Sequence, residues 1–252
     1  MDNTFNFKRF GKYFASDLTR LFSENWLKVL CFGLIPVFAL ILSFMFSLFD
    51  PGEYTYIDFD SRVLWLTITT GIFTIWIPSA FYGYVTDRRS GSNYTLIPAS
   101  CLEKTVSMII NAAVIAPAAF LAIYGVSDLL TTLVAGLPSS NSLMLKMPTW
   151  YPIDGFRVYS LVSIHVMTLY FILGAVFFRK GKIAKTILVQ FGLGVLLLFI
   201  AMTILTRINE ETPEIVYGLD EKAGHALMII QYAVQMIVLY TLIYFRIKKI
   251  QY

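Results

Sequence analysis

Only two histidines, His165 and His225, and two cysteines, Cys31 and Cys101, occur in the chain, so metal or thiol chemistry would have to start from them. Protein metal sites gather three or four ligands, often at spacings such as His-x-x-x-His or Cys-x-x-Cys. Neither spacing is present, and each histidine lies in a different apolar block. A Gly-x-Ser-x-Gly nucleophile elbow is missing as well. The two Gly-Lys pairs, Gly11–Lys12 and Gly181–Lys182, have Asn6 and Val176 where a phosphate loop needs its first glycine. These patterns predict no enzyme activity, no catalytic residue, no metal and no cofactor. The polar groups left inside apolar sequence are Asn111, His165, Gln190, Gln231 and Gln235. Gln231 and Gln235 are four apart and share a helical face. Such groups either bond a neighbouring helix or line a path. No carboxylate or basic side chain is expected deep in a span, with Asp128 placed at an outer edge, which argues against a proton relay.

Those residues must be positioned by apolar segments. Of the 252 residues 57% are apolar and 14% charged, against about 25% charged in a soluble domain. The apolar residues come in blocks, and a bilayer core is crossed by about 20 of them in helical form. Six blocks qualify: Trp26–Phe49, Arg62–Val85, Thr105–Asp128, Arg157–Phe178, Thr186–Thr206 and Ala223–Phe245. The expected fold is all-α: one polytopic membrane domain over 1–252, with about six transmembrane helices. An amphipathic interfacial helix at 4–25 precedes them. The first block is too long for a signal-peptide core and has no small-residue cleavage motif, so it is expected to remain as a span.

Basic residues set the orientation. With the N-terminus inside, 15 of the 20 Lys and Arg fall on the cytoplasmic side, leaving Arg62, Lys146, Arg157, Arg207 and Lys222 outside. Both termini are therefore expected in the cytoplasm. The net charge of +4 expresses this bias and predicts no nucleic-acid partner. In the N-terminal helix Phe7, Phe10, Phe14, Leu18 and Leu21 recur at helical spacing, a face that would rest on membrane lipid. Tyr54, Tyr56, Trp150 and Tyr151 fall at outer boundaries and the outer loops are acidic, with Asp50, Glu53, Glu214 and Asp220 among them. Pro36, Pro78 and Pro117 are expected to kink their helices, and Gly192 and Gly194 to permit close helix approach.

The loop Thr86–Lys104 between the second and third blocks carries the most specific pattern. Gly91 is expected to break the second helix. Tyr94, Leu96 and Ile97 then place apolar groups on the cytoplasmic side, and Pro98 stops any helix before it. Ser100 with Glu103 forms a capping box that starts the third helix. The string Arg89-Ser90-Gly91, Leu96-Ile97-Pro98-Ala99-Ser100, Glu103-Lys104 resembles the first intracellular loop of the membrane subunits of type-2 ATP-binding-cassette exporters. The order of an N-terminal interfacial helix, six spans and a loop after the second is similar too. The acidic segment Arg207–Lys222 departs from that family, which often has an apolar re-entrant hairpin there.

The resemblance implies a permease subunit in a bacterial inner membrane. It would work with a separate ATPase subunit and a second copy or related permease, and the loop would form the coupling helix that sits on the ATPase. On that basis Gly91, Tyr94, Leu96, Ile97, Pro98, Ser100, Glu103 and Lys104 are the expected docking residues. The alternative is a membrane scaffold, assembly factor or sensor that transports nothing.

Overall fold

The computed structural model describes residues 5–49, 58–87, 90–145, 156–211 and 221–251. Tyr54, Tyr56, Trp150, Tyr151 and the acidic residues Asp50, Glu53, Glu214 and Asp220 lie outside them, as does the side chain of His225. Among the described residues all regular structure is helical. The helices are α1 (Phe7–Gly33), α2 (Ile35–Ser47), α3 (Phe59–Tyr82), α4 (Ser90–Leu96), α5 (Cys101–Ile110), α6 (Ala116–Val134), α7 (Phe156–Phe177), α8 (Lys182–Glu211) and α9 (Glu221–Gln251). By length and composition four stretches suffice to cross a bilayer: Phe59–Thr86, Cys101–Val134, Lys182–Ile200 and Ile229–Ile250. The bent pair α1–α2 makes a fifth if it is one span, and Leu161–Phe177 is a shorter apolar helix. Large apolar side chains face outward along them, Phe199 at 74% exposure among them. These are the helices of an integral membrane protein.

The core lies where α3, α5, α6, α7 and α9 meet, with Phe73, Ile77, Met108, Phe120, Leu169 and Ile243 all buried. Phe73 stacks on Phe120 at 4.5 Å between ring centres. α3 packs most extensively on α7, and α7 on α9, while α1 lies along α5 and α6.

Two helix breaks differ from expectation. The N-terminal helix does not end before the first apolar block. α1 is continuous to Gly33, and the bend of 42° falls between Gly33 and Ile35. Pro36 explains the place: it sits in the first turn of α2, where a missing amide hydrogen costs nothing. The second helix ends at Tyr82 and passes into a 3₁₀ turn, Gly83–Thr86, so the break precedes Gly91. Gly91 lies inside α4, with its amide donating to the Asp87 carbonyl at 2.9 Å. A Cβ there would stand 2.6 Å from the Val85 carbonyl oxygen, so glycine is needed for close approach and not as a breaker.

The inward face of α1 also differs from the phenylalanine row. Tyr13, Asp17, Leu21, Asn25, Val29 and Gly33 are its buried residues, one every four. Phe7 is 83% exposed, whereas Leu21, expected toward lipid, is 1% exposed. Gly192 and Gly194 have open space where a Cβ would stand, so α8 makes no close approach at either within this chain.

Candidate functional site

The loop after α3 is built by local rules first. Ser100 caps α5: its hydroxyl accepts from the Glu103 amide at 3.3 Å, and the Glu103 carboxylate accepts from the Ser100 amide at 2.9 Å. This is the capping box read from the sequence. The same carboxylate reaches across to α1. It accepts from Arg9 Nε and Nη2, each at 2.8 Å, and from the Asn6 amide at 2.8 Å. Asn6 in turn caps α1 by accepting from the amides of Lys8 and Arg9. Glu103 thus locks the starts of two helices together, with its own side chain fully buried.

A second carboxylate, on α1, answers it. Asp17 Oδ2 accepts from the Tyr82 hydroxyl at 2.8 Å, the Ser107 hydroxyl at 2.9 Å and Asn111 Nδ2 at 3.0 Å. Its Oδ1 accepts from Arg20 at 2.8 Å. A buried charge persists only when paired and hydrogen-bonded, and Asp17 is both. α1 and α5 therefore exchange carboxylates: Glu103 of α5 is held by α1, and Asp17 of α1 is held by α5 and the end of α3. Sequence reading missed Asp17 because the phenylalanine row drew attention to a different face. The four-residue row from Tyr13 to Gly33 was the available signal.

The expected docking residues divide in two. Tyr94 is buried at 1% exposure, and Lys104 at 0% donates to the Tyr94 carbonyl at 2.8 Å. Both are buried, as are Ser100 and Glu103, so Tyr94 is turned away from the water side where an apolar group was expected. The reason is the short α4, which folds back so that Tyr94 meets Tyr84 edge to face at 6.1 Å. Leu96, at 75% exposure, and Pro98 remain outside, and Ile97 is half-buried against the core.

The intramembrane polar residues also separate. Asn111 belongs to the Asp17 cluster. His165 bonds two helices: its Nδ1 lies 3.1 Å from the Ala113 carbonyl and its Nε2 2.6 Å from the Tyr240 hydroxyl. A carbonyl only accepts, so Nδ1 carries the proton and the tyrosine donates to Nε2. The Ala113 carbonyl is available because Pro117, four residues on, has no amide hydrogen to give it. The helix widens there into a π turn, Asn111–Ile115, with the Ala116 amide reaching back to the Asn111 carbonyl. Gln190, Gln231 and Gln235 do come together. With Ser163, Tyr170 and Tyr232 they line a groove of about 380 Å³ between α7, α8 and α9. Gln190 Nε2 lies 3.0 Å from the Met167 sulfur.

At the opposite end a buried ion pair was not anticipated. Arg62 on α3 lies 3.2 Å from Asp128 on α6 and donates to Thr132 and the Asn141 carbonyl. Asp128 also accepts from the Leu143 amide at 2.7 Å, pinning the following loop. Asp17, Glu103, Asp128 and Arg62 are thus all enclosed in the bundle. No group of three or more His, Cys, Asp or Glu suited to a metal occurs among the described residues. In comparisons with protein families, curated proteins and solved structures, the chain finds no match.

Proposed function

We propose that the chain is the permease subunit of an ATP-driven transporter of the exporter type. It would cross the membrane six times with both termini in the cytoplasm, α7 supplying the sixth crossing, and its N-terminal turns would lie in the cytoplasmic interface. A separate ATPase would seat on α4 and its flanks, and a second permease subunit would complete the pathway. ATP would be hydrolysed in the partner; this chain would turn that subunit's movement into helix movement.

One observation carries the reading. The loop that would be pushed is tied to two helices at once, through the Ser100–Glu103 capping box and the Glu103–Arg9 bridge. A force on α4 would therefore move α5 and α1 together instead of being lost in a soft turn. Burying an exposed leucine contributes about 1.5–3 kcal/mol, so Leu96 is the natural contact. A second reading, a membrane scaffold without transport, is favoured by the inward turn of Tyr94 and Lys104, which leaves a smaller apolar contact surface.

The two separate on the partner. Leu96→Glu should leave thermal unfolding in detergent unchanged. It should lower recovery of ATPase activity with the purified protein roughly tenfold, about 1.4 kcal/mol of binding, while Ser140→Ala on the opposite side leaves it intact. Full recovery and full stimulation of turnover in Leu96→Glu would remove α4 as the docking element. If the wild type carries no ATPase activity, the scaffold reading stands.

A further inference from the structure

At the cytoplasmic end proposed above, a cleft of about 490 Å³ opens between α4, the 3₁₀ turn, the α7–α8 turn and the end of α9. Arg179, Arg246 and Lys249 line it, with Thr86 and Thr95. Among the described residues the one acid lining it, Asp87, lies 3.2 Å from Lys182 and is neutralised by it. Lys182 also donates to the Gly83 carbonyl, and Gly181 takes the positive φ of 62° that starts α8 so close by. Arg246 is held in advance: its Nε and Nη2 donate to the Val176 and Phe177 carbonyls at 3.1 and 3.3 Å, and it stands 5.0 Å from the centre of the Phe177 ring. Two of its five N–H donors are thus used. Arg179 and Lys249 have no ion-pair partner among the described residues. The apolar ring of Phe177, 54% exposed, adjoins Arg246.

We propose that this cleft binds the phosphate-bearing headgroup of an anionic phospholipid from the cytoplasmic leaflet. Three cations beside one neutralised acid suit a phosphodiester. Basic pockets between membrane helices on this side recognise such headgroups. The exposed Phe177 ring next to Arg246 favours a ligand that carries acyl chains over a free anion or an acidic peptide. The proposal rests on the cytoplasmic placement of this end and not on the ATPase partner.

The test uses the purified full-length protein in neutral detergent. Thermal unfolding is followed while dioctanoyl phosphatidylglycerol, dioctanoyl phosphatidylcholine or inorganic phosphate is added. Phosphatidylglycerol should raise the midpoint saturably, and the other two should not. The double variant Arg179→Gln/Lys249→Gln should keep its lipid-free midpoint yet need roughly tenfold or more phosphatidylglycerol for half its effect. Lys8→Gln/Lys12→Gln, two exposed cations elsewhere on this side, should match the wild type. An equal response to phosphatidylcholine, an equal response to inorganic phosphate, an unchanged response of the cleft variant, or an equal loss in the control pair would each overturn the site. So would a wild type indifferent to phosphatidylglycerol whose ATPase recovery falls in the cleft variant; the cleft would then belong to an acidic partner segment. The lipid titration contains no ATPase, so its result stands apart from the fate of the permease reading.

Discussion

The half of the bundle built from α1, α3 and α5 and the half built from α8 and α9 treat polar groups in opposite ways. In the first, each carboxylate at the helix crossings has several donors: Asp17 has four and Glu103 has its cap, Arg9 and Asn6. In the second, Gln231 and Gln235 sit in an open groove and α8 shows nearly its whole apolar surface. Satisfied buried networks make a unit rigid, whereas polar groups facing outward in a membrane call for something else to bond. On the permease reading proposed above, the first half would transmit movement and the second would meet lipid, cargo or another subunit.

The sharpest way to break this contrast is Asp17→Ala. It removes the acceptor from Tyr82, Ser107 and Asn111 and strands Arg20, and breaking a buried pair in this way costs about 3–5 kcal/mol. Unfolding in detergent should fall accordingly, with Asp17→Asn milder because it keeps the shape. A wild-type midpoint in Asp17→Ala would mean that packing alone fixes α1. A smaller effect is expected at the second node: Arg9→Gln should cost about 1.5–3 kcal/mol, the worth of charged hydrogen bonds. In a double-mutant cycle with Glu103→Gln the two losses should be strongly non-additive. Additive losses would separate the helix starts. The smallest effect belongs to the other half. Gln231→Leu/Gln235→Leu should change the stability of the single chain by less than about 0.5 kcal/mol. A large loss would show that the groove is bonded internally and that the two halves follow one rule.

How far the sequence revealed this follows from the range of each interaction. The capping box was legible because Ser100 and Glu103 are three apart and the rule is local. The apolar blocks fell on helices because bilayer thickness demands long runs. Asp17 was not legible as an anchor: its partners Tyr82, Ser107 and Asn111 lie 65, 90 and 94 positions away. Tyr94 read as exposed because a loop on the water side was assumed to face water, while the fold turns α4 back on the bundle. Gln231 and Gln235 were legible as one helical face because they are four apart, and only the fold sets Gln190 of α8 beside them in one groove.

The π turn at Asn111–Ile115 works like a gear with one surplus tooth. Each residue of an α-helix advances about 100° around the axis and 1.5 Å along it. Asn111, engaged with Asp17, lies at the start of the turn, and Asp128, engaged with Arg62, lies beyond it. Relaxation to a regular helix with every residue kept would leave Asn111 in place and swing Asp128 about 100° away from its arginine. The anchors at the two ends of the bundle are therefore phased against each other by one residue. An in-frame deletion of one residue between Ala112 and Ile115 would remove the surplus and keep them in phase, whereas a change that made the helix regular with every residue kept would uncouple them.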